Sequence, residues 1–180
     1  MNIIARHPIL LSAIRWGIGT VFLVAGISKL FPFEAFVKQV LVYRLPFPDY
    51  LLYYGSIIVI TLEVWVGLSI FFGINLRLAL RIARILLISM IPITIWGTFQ
   101  QAPSCGCYGQ LLKRKPWVAT VEDCVILAVS FLLAPEEEKT KDGFWVRGIE
   151  ISFILIALAS GVYALTQLNQ ILASQSEKLF

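Results

Sequence analysis

The sequence predicts an all-α, polytopic membrane protein, and three observations lead there. Of its 180 residues 58% are apolar, where an ordinary soluble domain carries about 45–50%. Charged residues are 14% of the chain, against about 25% in a soluble domain. The apolar residues also gather into five stretches close to the roughly 20 residues that cross a bilayer. Mean hydropathy is +0.82. A soluble globule of this size has too much surface per volume to hide that much apolar area. The same composition excludes a disordered chain. The net charge of +4 does not indicate nucleic acid, because Lys and Arg sit in loops and at helix ends. There they anchor the chain at lipid headgroups.

The first stretch runs over 9–31, the second over 50–72 and the third over 78–99. The fourth covers 117–134 and the fifth 149–168, followed by a polar tail over 169–180. The first is too long for a signal peptide, is interrupted by Arg15 and has no small-residue cleavage site after it. It is expected to be a retained anchor. Between the first two spans, Phe33, Phe36, Val37, Val40 and Leu41 recur at helical spacing, with Glu34, Lys38 and Gln39 elsewhere. This predicts a short interfacial helix over about 33–44, stopped by Pro46 and Pro48. Pro92 is expected to bend the third span. The charged segment 135–148 reads as a solvated loop before the added fifth helix.

Orientation is not decided by charge counting. With the N-terminus inside, seven Lys and Arg residues fall on each side. The first helix usually dominates, and Arg6, the free amine and Arg15 favour an inner N-terminus. The loop between spans three and four is then extracytoplasmic.

That loop, Pro103-Ser104-Cys105-Gly106-Cys107-Tyr108-Gly109, carries the sharpest chemical signal. Two thiols separated by one glycine can close a small strained ring, and strained, exposed disulfides tend to be the reducible, catalytic ones. Three readings stay open: redox chemistry by Cys105 and Cys107, a static disulfide or two inert thiols that shape the loop, and a Cu(I) site. Cys124, inside span four, reads as an inert buried thiol, with a resolving role as the minority reading. The single histidine, His7, excludes a histidine triad or a multi-histidine metal site within one chain.

Charges within the spans are the second signal: Arg15, Glu63, Arg84, Glu122 and Asp123. Such residues face the bundle interior with a partner. Arg15 and Arg84 lie about 9 Å from the inner ends of their spans and Glu63 about 15 Å. Glu63 is therefore expected to pair with Arg15, Arg84 or both. Lys29 matches Glu122 or Asp123 in depth, and lowers a thiol pKa if it approaches the loop. Buried ion pairs that only fix helix register are an equally good account of these charges. The five Trp residues mostly fall near span ends and read as interfacial anchors.

Several short motifs together resemble a known family. They are Arg15, Gly26-x-x-Lys29-Leu30, Tyr43-Arg44-Leu45-Pro46, Glu63-x-x-x-Gly67-Leu68 and Cys105-Gly106-Cys107-Tyr108-Gly109. They look like the MauE branch, the methylamine utilisation membrane proteins, of the DoxX-like family, over roughly 10–134. The resemblance implies a four-helix membrane bundle, here spanning 1–134. It also implies a role in maturing methylamine dehydrogenase, whose small subunit is rich in disulfides, together with a thioredoxin-like partner. Broader relatives are linked with thiosulfate:quinone oxidation and membrane oxidoreductase complexes. Tyr108 stands where the family often has Phe, and the fifth span has no family role.

The reading that follows is thiol–disulfide exchange by Cys105 and Cys107, with electrons passing to or from a thioredoxin-like protein and onward to a quinone. The rival readings are a non-catalytic subunit or assembly factor of a membrane oxidoreductase complex, and a quinone-linked subunit of the thiosulfate type. Small residues of the fifth span, Ala157, Ala159, Ser160, Gly161 and Ala164, would suit docking to such a complex.

Overall fold

The computed structural model describes residues 8–109, 114–133 and 144–177, and all regular structure among them is helical. The order is α1 (Pro8–Leu30), α2 (Phe33–Val42), α3 (Asp49–Phe72), α4 (Leu76–Phe99), α5 (Pro116–Ser130) and α6 (Phe144–Glu177). Arg6, His7, Lys113, the run Glu136 to Asp142 and Lys178 lie outside the described residues. Among the described residues α1, α3, α4 and α6 are each long and apolar enough to cross a membrane. Their outer faces are clad in apolar side chains: Ile27, Ile58, Ile85, Leu155 and Val162 are all exposed. A soluble bundle would turn those side chains inward, so the surrounding medium is lipid.

The bundle is built on an antiparallel seam between α1 and α3. A Cβ added at Gly19 would lie 2.7 Å from the Phe71 backbone, one at Gly67 2.8 Å from Leu23, and one at Gly26 2.9 Å from Val64. Only glycine lets the two backbones come this close, as at small-residue contacts between membrane helices generally. The three contacts share one register: 19 opposes 71, 23 opposes 67 and 26 opposes 64. Below the middle of the seam, Ile18, Phe22, Val66 and Ile70 pack with Ala79, Leu80 and Ala83 of α4.

The predicted interfacial helix is α2. Its apolar face does not lie bare: Phe33, Phe36 and Val37 are buried against Ile60 of α3 and Ala164 and Leu168 of α6. On its outer face Glu34 and Lys38 form an exposed i,i+4 ion pair at 2.6 Å.

The fifth span sits within a longer helix, and residues 144–148 and 169–177, expected as loop and tail, are helical in α6. α6 docks along α3. Phe153 meets Phe72 with ring centroids 5.2 Å apart, Gly161 sits over the Thr61 hydroxyl, and Asn75 donates to the Glu150 carboxylate. The small residues Ala157, Gly161 and Ala164 thus face α3 of the same chain.

The fourth span is shorter than expected. α5 ends at Ser130 rather than near 134, so it covers about 22 Å of a hydrocarbon core about 30 Å thick. Arg84 explains the early stop. Its Nη2 donates to the Ser130 carbonyl (2.7 Å), its Nε donates to the Ser130 hydroxyl (3.2 Å), and its guanidinium lies 4.3 Å over the Phe131 ring. A cation on the last carbonyl is the favoured end for a helix dipole. Arg84 therefore does not pair with Glu63. Nor does Arg15, whose guanidinium packs against Gly73, the left-handed residue closing α3.

Arg84→Ala should leave the end of α5 uncapped inside the membrane. The expected loss is about 1–3 kcal/mol, the value of hydrogen bonds from a charged donor. A lowered thermal midpoint in detergent, partly restored by Arg84→Lys, checks this.

Candidate functional site at the Cys-Gly-Cys loop

The loop joining α4 to α5 folds back onto α1 and α2. Gly106 (φ +69°) and Gly109 (φ +52°) hold left-handed backbone that other residues rarely adopt. Gly109 also sits so close to the Ser28 carbonyl of α1 that a side chain there would overlap it. From α2, Gln39 donates to the Ser104 hydroxyl (2.8 Å), and the Tyr43 hydroxyl donates to the Cys105 carbonyl (2.9 Å). Tyr43 is buried against Gly97, where only a missing side chain leaves room for its ring, and Trp96 Nε1 donates to the Tyr43 carbonyl (3.0 Å). The short helix and the cysteine loop therefore share one end of the bundle, as connectivity requires.

On the other flank, Tyr108 is buried and donates to Glu122 Oε1 (2.8 Å), while Arg114 pairs with Glu122 Oε2 and covers the Tyr108 ring. Glu122 is thus held by loop residues and not by Lys29.

Between the thiols, the Cys107 N–H donates to the Cys105 sulfur (3.3 Å), and the Cys107 sulfur lies 3.8 Å from the Cys105 carbonyl oxygen. The Cys105 thiol is brought from 9.0 down to about 7, chiefly because the Cys107 thiol donates to its sulfur. Burial opposes this, while the Cys107 N–H and the Lys29 charge assist. Cys107 is pushed the other way, first by that same hydrogen bond and then by burial. One proton shared between two sulfurs leaves Cys105 as the better thiolate and leaving group. Cys105 is buried and Cys107 half-buried as whole residues, and both line the cavity behind the loop.

Behind the thiols lies a partly open cavity of about 250 Å³. Cys105, Cys107 and Tyr108 form one end, and Lys29, Glu63 and Asp123 lie in the same wall. Lys29 and Glu63 form a buried ion pair, only 4% and 6% exposed, which replaces the expected pairing of Glu63 with arginine. The seam register explains the difference. Lys29 falls opposite Thr61, within about 3 Å of the level of Glu63, whereas Arg15 falls about 18 Å below it. Depth counted from helix ends missed this offset. Glu122 and Asp123 both line the cavity, with Ala119 and Ile126 on the same face of α5. Cys124 is exposed on α5 rather than buried, and it does not line the cavity. Tyr43 and Gln39 carried no chemical signal in the sequence, since their role is to hold loop carbonyl and hydroxyl groups far along the chain.

A chain whose described residues are all-helical, with four helices long and apolar enough to cross a membrane and a thiol pair lining a largely apolar cavity, is a polytopic integral membrane protein with a candidate dithiol centre. The family model for "Methylamine utilisation protein MauE" matches residues 7–135, and the chain belongs to that family. No curated protein and no solved structure matches the chain. The match takes in the seam, the loop and the cavity, and leaves α6 outside.

Two outcomes follow from this geometry. Glu63→Ala strands the Lys29 ammonium, and breaking a buried pair costs about 3–5 kcal/mol. The yield of folded protein should fall sharply, and the double change Lys29→Met with Glu63→Met should recover most of it. In Cys124→Ser protein, alkylation of Cys105 followed by mass spectrometry should speed up as pH rises and reach half its maximum at about pH 7. Only the thiolate reacts, so an unperturbed thiol would reach half its maximum at about pH 8.5.

Proposed function

We propose that the chain is a membrane thiol–disulfide redox protein that supports extracytoplasmic maturation of a disulfide-rich client, of the methylamine dehydrogenase type, through a thioredoxin-like partner. The observation that carries this reading is the asymmetric thiol pair: a half-buried Cys107 beside a buried, acid-shifted Cys105.

In the oxidised form a partner thiolate attacks the sulfur of Cys107, the more exposed residue of the two. The Cys105–Cys107 bond breaks and Cys105 departs as thiolate, the faster leaving group. The partner's second thiolate then attacks the mixed disulfide and releases Cys107. The partner gains one disulfide bond, and Cys105 and Cys107 take up its two electrons and two protons. The loop lies outside the cytoplasm in this reading, where disulfides persist, with the N-terminus inside. The subunit alternative is less favoured, because Ala157, Gly161 and Ala164, three of the five small residues that would dock to a complex, are packed within this chain.

Cys105→Ser protein should trap a mixed disulfide with the partner through Cys107, and Cys107→Ser protein should trap far less through the buried Cys105. Non-reducing gels of crude membranes read this directly. Equal trapping by both variants contradicts the assigned order, and trapping by neither leaves the loop a structural element. In intact cells treated with reductant, a membrane-impermeant thiol reagent should label Cys107 without lysis.

A further inference from the structure

We propose that the cavity behind the thiols is the binding site for a quinone, which reoxidises the Cys105–Cys107 dithiol from the lipid side. The inference rests on the thiol–disulfide reading above and supplies its missing oxidant.

Cys105 and Cys107 both line the cavity, so an acceptor seated there reaches the dithiol from inside the bundle. The cavity offers that route. Leu45, Phe47, Leu51 and Leu52 form part of its wall, and Phe47 and Leu51 are exposed on the apolar outer surface. A ligand arriving there comes from lipid. A space of about 250 Å³ admits one substituted ring.

The polar end fits the two redox forms of a quinone. Lys29 has N–H groups beyond the one donated to Glu63, and these suit a quinone carbonyl, which only accepts. Glu63 Oε2 and Asp123 Oδ2 are buried with no hydrogen-bond partner, and both side chains line the cavity. Glu63 is more than nine-tenths buried, and a buried acceptor left unmatched is costly. A quinol hydroxyl donates to such an oxygen.

The reaction balances. Two S–H bonds break and one S–S bond forms between Cys105 and Cys107. Two electrons and two protons pass to the quinone, which leaves as quinol with two new O–H bonds.

The test uses full-length protein, reduced, in quinone-free nanodiscs, with a decyl-substituted benzoquinone as probe. Quinol formation is read by absorbance, and the state of Cys105 and Cys107 by alkylation and mass spectrometry. One quinol should form per disulfide, saturably in quinone, and quinol formation should fall to background in the Cys105→Ser/Cys107→Ser variant. Gly55→Phe localises the site. Gly55 lies in the cavity wall with nothing within 4 Å of an added Cβ, so the ring fills the cavity. The half-saturating quinone concentration should rise at least about tenfold, because a filled pocket loses its ligand contacts. Three results overturn the inference: no oxidation, oxidation that rises linearly without saturation, or oxidation unchanged by Gly55→Phe. If the protein still exchanges with its thiol partner in those cases, the proposed function stands without the quinone. Saturable quinone reduction without partner exchange supports the cavity assignment and removes the thioredoxin-like partner.

Discussion

The antiparallel seam between α1 and α3 is the constraint on which the other parts depend. Gly19, Gly26 and Gly67 bring the two backbones together, and their register admits no half-turn slip without a collision. That register carries Lys29 to the level of Glu63 and leaves the Ser28 carbonyl where Gly109 rests against it. The cysteine loop therefore takes its seat from the seam, some eighty positions earlier in the chain. In lipid the hydrophobic effect does not hold helices together. Close backbone packing and a buried ion pair take its place, and both depend on register.

The disposition of charge follows from the same scarcity of water. Most charged side chains inside the bundle have a local answer, with Asp123 the exception. Lys29 has Glu63, Arg84 has the carbonyl end of α5, Arg15 lies at the end of α3 and Glu122 is held by Tyr108 and Arg114. Helix C-termini serve the two arginines as partial negative charges, so the carboxylate of Glu63 is left to the lysine near the thiols. One consequence is electrostatic. A cation retained near the cysteine loop favours the Cys105 thiolate, and the shared proton of Cys107 favours it further.

The cysteine loop is anchored on both flanks. Hydrogen bonds from Gln39 and Tyr43 hold its backbone to α2, while Tyr108 ties it to α5. Between these anchors Cys105 is buried, Cys107 is half-buried, and both thiols line the cavity.

Sequence by itself determined the features set by local composition. Long apolar stretches mark helices in lipid, because an unsatisfied backbone group there is too costly for any other open structure. The 33–44 periodicity marked α2 with its buried face, and Cys-Gly-Cys marked the loop. Tertiary structure decided what depends on the relative height of distant residues. Glu63 met Lys29 instead of an arginine, α5 stopped at Ser130 because Arg84 caps it, Cys124 was left exposed and α6 ran on to Glu177. The cavity between Cys105, Lys29 and Asp123 was also beyond reach of the sequence. Helix periodicity says which residues share a face. It does not say how far one helix is displaced along another, and in this bundle that displacement is set by three glycines whose only signal is the absence of a side chain.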